Sequence, residues 1–144
     1  MAKVNETIST VTHKDLSDEQ FLNRFETLSI EPSLFTHEAH VRLSWLYFDK
    51  TRDLQRGLEM ISNGIRRFDI KFSGGIKYHH TITTAFAMII YSRMNRFEMS
   101  WVDFINRNTD LLHSKSLLSK YYSDSILHSS EARVEFLKPD KLTL

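Results

Sequence analysis

Four glycines and two prolines punctuate 144 residues. A chain so poor in turn-formers has few places to reverse direction. It therefore favours long helices over many short strands. The helical periodicities agree. Ser17 opens "SDEQFLNRFETL", with Gln20 three residues later as a capping box and Phe21, Leu22, Phe25 and Leu28 as an apolar stripe. Pro32 in "SIEPS" disfavours helix at the residue before it and ends that segment.

Thr36 is placed to cap a second helix reaching about Asp49, with Glu38 in its favourable first turn. A third follows over 51–69, with Leu54, Leu58, Ile61 and Ile65 at helical spacing, and "KFSGG" breaks it. A fourth covers 77–95 with an apolar centre, and Ser100 caps a shorter fifth in "SWVDFINRN". "SKSLLSKYYS" and "SSEARVEF" read as a turn or two of helix each, and "LKPDKLTL" as an extended tail. Residues 1–15 are polar and aperiodic, a loose leader. The expectation is one compact all-α domain over 16–144, with the second and fourth helices as its core pair.

Several classes of function fall away on composition. There is no cysteine, so disulfides, thiolate metal sites and a cysteine nucleophile are excluded. The net charge is +1, which gives no field toward nucleic acid or an anionic membrane. "GIRRF" is too short for a nucleic-acid stripe. "SGG" lacks the glycine spacing and the Lys-Ser/Thr ending of a phosphate loop. The longest apolar run, Ala85 to Tyr91, is too short to span a bilayer. The first residues show no apolar signal core, so the cytoplasm is the expected location.

What remains is histidine. His37 and His40 lie three residues apart, on neighbouring parts of one helical face. His79 heads the fourth segment, on a face with Thr83, Phe86 and Ile90. If the second and fourth helices pack together, three imidazoles converge. Three neutral imidazoles with an open position form the first shell of a catalytic zinc site, and they also suit iron, copper, nickel or cobalt. Ser44, Tyr78, Thr81 and Thr83 are placed to orient ligands. Glu38 tends toward another face and is no ligand. Two plainer readings stand beside this one: metal-free acid–base catalysis by the same histidines, and histidines that simply bond within a core. His13 falls in the leader, and His113 and His128 in polar connections.

The arginines divide the same way. Arg42, on the opposite flank of the second helix from His40, can pair with Glu38 one turn back. Arg133 either fastens the tail by a salt bridge or recognises a carboxylate or phosphate. "KYYS" reads first as packing and second as pocket lining.

Three segments together have a familiar form: "FTHEAHVRLSWLY" (35–47), "KYHHTIT" (77–83) and "SSEARVEFLKPD" (129–140). With them the chain resembles a largely uncharacterised family of small bacterial all-helical proteins. That family's patterns are F-x-H-x-x-H-[LV]-R-x-x-W-x-Y, K-Y-H-x-T-x-T and S-x-x-A-R-x-x-F-x-x-P-D. The resemblance covers most of the chain after residue 20. It singles out His37, His40 and His79 over His80, and also Arg42, Tyr78, Thr81, Thr83 and Arg133.

The sequence thus leads to a mononuclear site of His37, His40 and His79 holding one divalent transition metal, zinc or iron. Its chemistry would be hydrolytic or oxygen-dependent, on a small polar molecule whose anionic group meets Arg42 or Arg133. The other reading is a non-enzymatic ligand-binding or protein-interaction module with structural histidines. Neither nucleic acid nor membrane is an expected partner, and the oligomeric state is left open.

Overall fold

The computed structural model describes residues 12–94 and 99–144. Among the described residues there are eight α-helices and no strand, as the scarcity of turn-formers implies. They are α1 (Asp18–Glu26), α2 (His37–Thr51), α3 (Leu54–Ser73), α4 (His80–Ser92), α5 (Trp101–Asn106), α6 (Ser114–Leu118), α7 (Asp124–Leu127) and α8 (Ser130–Val134). None is long and apolar enough to cross a membrane.

The caps explain most boundaries. At the head of α1, Gln20 N–H donates to Ser17 Oγ at 3.1 Å and Ser17 N–H to Gln20 Oε1 at 2.9 Å, the reciprocal box expected there. Leu28 falls outside the helix in a left-handed conformation, so the stripe ends at Phe25. Thr36 caps α2 as expected. That helix runs two residues past Asp49 and closes on Arg52 at φ 54°. Asp53 then caps α3 through Arg56 N–H at 2.8 Å, so only two residues separate α2 from α3 and α3 folds back on α2.

Two starts and ends were placed differently from the sequence. α3 begins at Leu54 and continues to Ser73, where Gly74 at φ 71° stops it. α4 begins at His80, three residues later than expected. The reason is Asp69, buried on α3. Its carboxylate accepts the backbone N–H groups of Lys77 (3.0 Å) and Tyr78 (2.9 Å), which holds those residues out of the helix. His79 is extended and serves as the N-cap. The expected end of this helix, at 95, lies outside the described residues.

Over residues 41–48 α2 is buried on every side, with Val41, Leu43, Trp45, Tyr47 and Phe48 all in the core. A helix apolar all round belongs at a centre. α3 packs against both α2 and α4, so the core is a trio and not the pair of α2 and α4 alone. Close approach along α3 needs small residues. A Cβ at Gly64 would stand 2.6 Å from Phe25 Cε2, and one at Gly57 2.3 Å from Phe48 Cδ1.

Residues 12–15 also belong to the packed fold. Thr12 caps a 3₁₀ turn, and His13 is only 2% exposed. The remainder of the expected leader, residues 1–11, lies outside the described residues. At the other end, buried Thr81 clasps the tail. Its hydroxyl donates to Glu135 O at 2.8 Å and accepts Leu137 N–H at 3.0 Å.

Candidate functional site

A groove of about 560 Å³ opens between α2, α3 and the loop leading into α4. Phe35, Phe68, Phe72 and Ile65 wall it, and His37, His40, His79 and Thr83 face it. An inner chamber of about 100 Å³ continues from the same His37, His40, Ile65 and Thr83 to Ser44, Phe86 and Ser114. α2 presents its first turn here because Thr36 caps it, and α4 presents His79 because Asp69 delays its start. The three predicted histidines thus border one space.

Their nitrogens are not equally available. Ile82 N–H donates to His79 Nδ1 at 3.1 Å, and His79 Nε2 lies 2.8 Å from Leu127 O. The ring must therefore carry its proton on Nε2 and give it to that carbonyl, and no lone pair is left. His37 Nε2 lies 2.9 Å from Leu111 O, which makes it the donor and leaves Nδ1 as a bare acceptor. Its ring meets Phe86 edge-on at 5.1 Å.

His40 differs from both. Its ring stacks on Phe35 at 4.1 Å between centroids, and among the described residues neither ring nitrogen has a hydrogen-bond partner. Burial, and then the neighbouring His37 imidazole, push its pKa down to about 4. At neutral pH it is an uncharged ring with one N–H and one lone pair, neither bonded to a described residue.

A three-histidine metal shell does not fit these side chains, since His79 has already committed both nitrogens. Among the described residues there is no group of three or more His, Asp or Glu side chains disposed to hold a metal ion.

The other predicted site residues scatter. Thr83 lines the groove. Tyr78 borders it too, but its hydroxyl donates to His80 Nδ1 at 2.6 Å, and burial raises its pKa. Ser44 lines the inner chamber and donates to His40 O at 3.2 Å. Thr81 is the tail clasp. Arg133 donates to Ile76 O, and the cavity it borders is a different one. Arg42 lies away from the groove, under the N-terminal segment. It donates to His13 O (2.7 Å), Leu16 O (2.9 Å) and Asp18 Oδ1 (2.8 Å) and stacks over Phe21 at 4.8 Å. Its carboxylate is therefore Asp18 and not Glu38, which pairs with Lys14 at 3.5 Å. His113 and His128 are exposed, as their polar surroundings imply.

Sequence reasoning passed over Asp69 and the aromatic wall. The signal for Asp69 was present: it stands four residues after Ile65 and eight after Ile61, on the stripe that α3 buries. A carboxylate in an apolar stripe needs donors nearby, and here they are two loop N–H groups. His80, set aside as variable, is the partner of both Tyr78 and Arg66, whose Nη2 is 3.4 Å from its Nδ1. Comparison of the chain with protein-family models, with curated proteins and with solved structures finds no match in any of the three.

Proposed function

We propose that the groove binds a small, planar, largely apolar molecule, and that His40 is its polar contact. The observation that carries this reading is the unpartnered His40 ring, stacked on Phe35 at the head of an aromatic-walled space. The ring is half-buried, and its nitrogens open onto the groove while making no hydrogen bond to a described residue. A ligand offering an acceptor to its N–H, or a donor to its lone pair, would take the place of water there. His37 Nδ1 supplies a second acceptor at the same end. Exposed Lys77 at the rim suits an anionic substituent on an otherwise apolar ligand.

Binding is favoured over acid–base catalysis for a quantitative reason. A general base works best with a pKa near the operating pH. His40, at about 4, is a weak base at neutrality, although a sound hydrogen-bonding group. The family resemblance supports a shared site at His37 and His40, and the lack of cysteine suits a reducing compartment such as the cytoplasm.

The test is an amide NMR titration of the full chain with indole, quinoline and naphthalene-2-carboxylate at millimolar concentration. At least one should shift Phe35, His40, Phe72 and Thr83, and the shifts should vanish in His40→Phe. If none of the three perturbs those residues, the groove is not a site of this kind.

A further inference from the structure

Tyr78 and Asp69 also border a second space, an open cavity of about 600 Å³ between the C-terminal half of α3, the 74–78 loop and α8. Three apolar side chains stand around it almost unburied: Ile70 (67% exposed), Ile76 (73%) and Val134 (72%). They are three of the five large apolar side chains that are exposed among the described residues. Scattered singly such residues mean little, but gathered at one cavity they mark a surface that something covers.

The charges at this surface are one-sided. Arg66 and Arg133 both line the cavity. Arg66 lies over the Tyr78 ring at 4.8 Å, and Arg133 donates to Ile76 O. Neither has a carboxylate within ion-pair distance among the described residues. The one acidic lining residue, Asp69, is turned inward and bonded to the loop N–H groups. A guanidinium without a counter-charge, beside exposed apolar surface, matches a carboxylate next to a bulky aliphatic group.

We propose that this cavity docks an acidic–apolar segment of a partner protein. An aliphatic side chain of the segment enters among Ile70, Ile76 and Val134, and an adjacent glutamate or aspartate meets Arg66 and Arg133. An extended segment is the fitting occupant because it can present an aliphatic and an acidic side chain together to one open cavity lined by both kinds of partner. A short carboxylate would leave the three apolar side chains in water. The cavity shares Tyr78 and Asp69 with the histidine groove, but its two arginines and three exposed apolar side chains lie outside that groove, and the proposal does not depend on what the groove binds.

Two acetylated, amidated peptides test this against the full chain by amide NMR: leucine–glutamate–glutamate–leucine–isoleucine, and the same sequence with glutamine for glutamate. The acidic peptide should shift residues 74–78 and 130–135 and bind about fivefold tighter or more than its neutral counterpart. Arg66→Gln with Arg133→Gln should abolish that preference. Ile76→Ser, at an exposed position, should weaken both peptides and leave the melting temperature unchanged. His40→Phe should bind the acidic peptide as the parent does. Equal affinity for both peptides, no binding of the acidic one, or shifts confined to the histidine groove would each overturn the proposal. So would co-sedimentation with phosphatidylserine vesicles in place of peptide binding, which would make the surface a lipid site.

Discussion

His40 makes a prediction whose size follows from its surroundings. In the unfolded chain its pKa is near the ordinary 6.5; in the fold it is about 4. Below pH 6.5 the unfolded chain takes up a proton that the folded protein refuses. Stability is thus intact above about 6.5, falls as the pH drops toward 4, and levels off below that. Each pH unit in the window is worth about 1.4 kcal/mol, so His40 alone costs the fold ~2 kcal/mol by pH 5 and ~3 kcal/mol by pH 4. His40→Phe removes the titration and retains a ring to stack on Phe35. At pH 7.5 the variant should match the parent within ~1 kcal/mol, because the stacked ring is kept and no hydrogen bond to a described residue is lost. At pH 5 it should be more stable by ~2 kcal/mol beyond any difference at pH 7.5. Urea unfolding of both proteins at the two pH values measures this. His13, also held below its ordinary value chiefly by burial, is the same in both proteins and cancels in the comparison. Parallel pH dependence of parent and variant would refute the placement of His40. A variant strongly destabilised at pH 7.5 would show that the ring has structural partners after all.

Two further predictions concern the groove's framework. Asp69→Ala leaves the Lys77 and Tyr78 N–H groups without their acceptor and should cost about 2–4 kcal/mol, read by urea unfolding; Asp69→Asn, which retains one acceptor oxygen, should recover part of it. Zinc added to chelator-treated protein should bind His79→Asn as well as it binds the parent, since His79 offers no lone pair and asparagine can replace its cap. A sharp fall in zinc affinity in that variant, by calorimetry, would restore the three-histidine centre.

Much of the helical framework was legible because its signals are local. Ser17 with Gln20, Thr36, Ser100 and the glycine pair after Ser73 act through neighbours within four residues, and each did what its position implies. The start of α4 was not legible in this way. It depends on Asp69 reaching loop N–H groups eight and nine residues on, and the apolar pattern runs smoothly through the true boundary. The prominence of α3 was also hidden. Gly57 and Gly64 look like weak points in a helix until Phe48 and Phe25 are seen pressed against them.

The candidate site divides along the same line. By itself the sequence determined that His37 and His40 share one helical face, since the 100° turn per residue leaves no alternative, and that no thiolate chemistry operates here. Tertiary structure decided what each imidazole is free to do. Leu111 and Leu127, 74 and 48 residues away, take the Nε2 protons of His37 and His79, while no described residue takes one from His40. Arg42 went to the N-terminal segment and Arg133 to a second cavity for the same reason. The spacing of residues along a helix sets the direction of a side chain, but its hydrogen-bonding partner comes from whichever distant segment folds against it, and that partner decides whether a polar group remains available to a ligand.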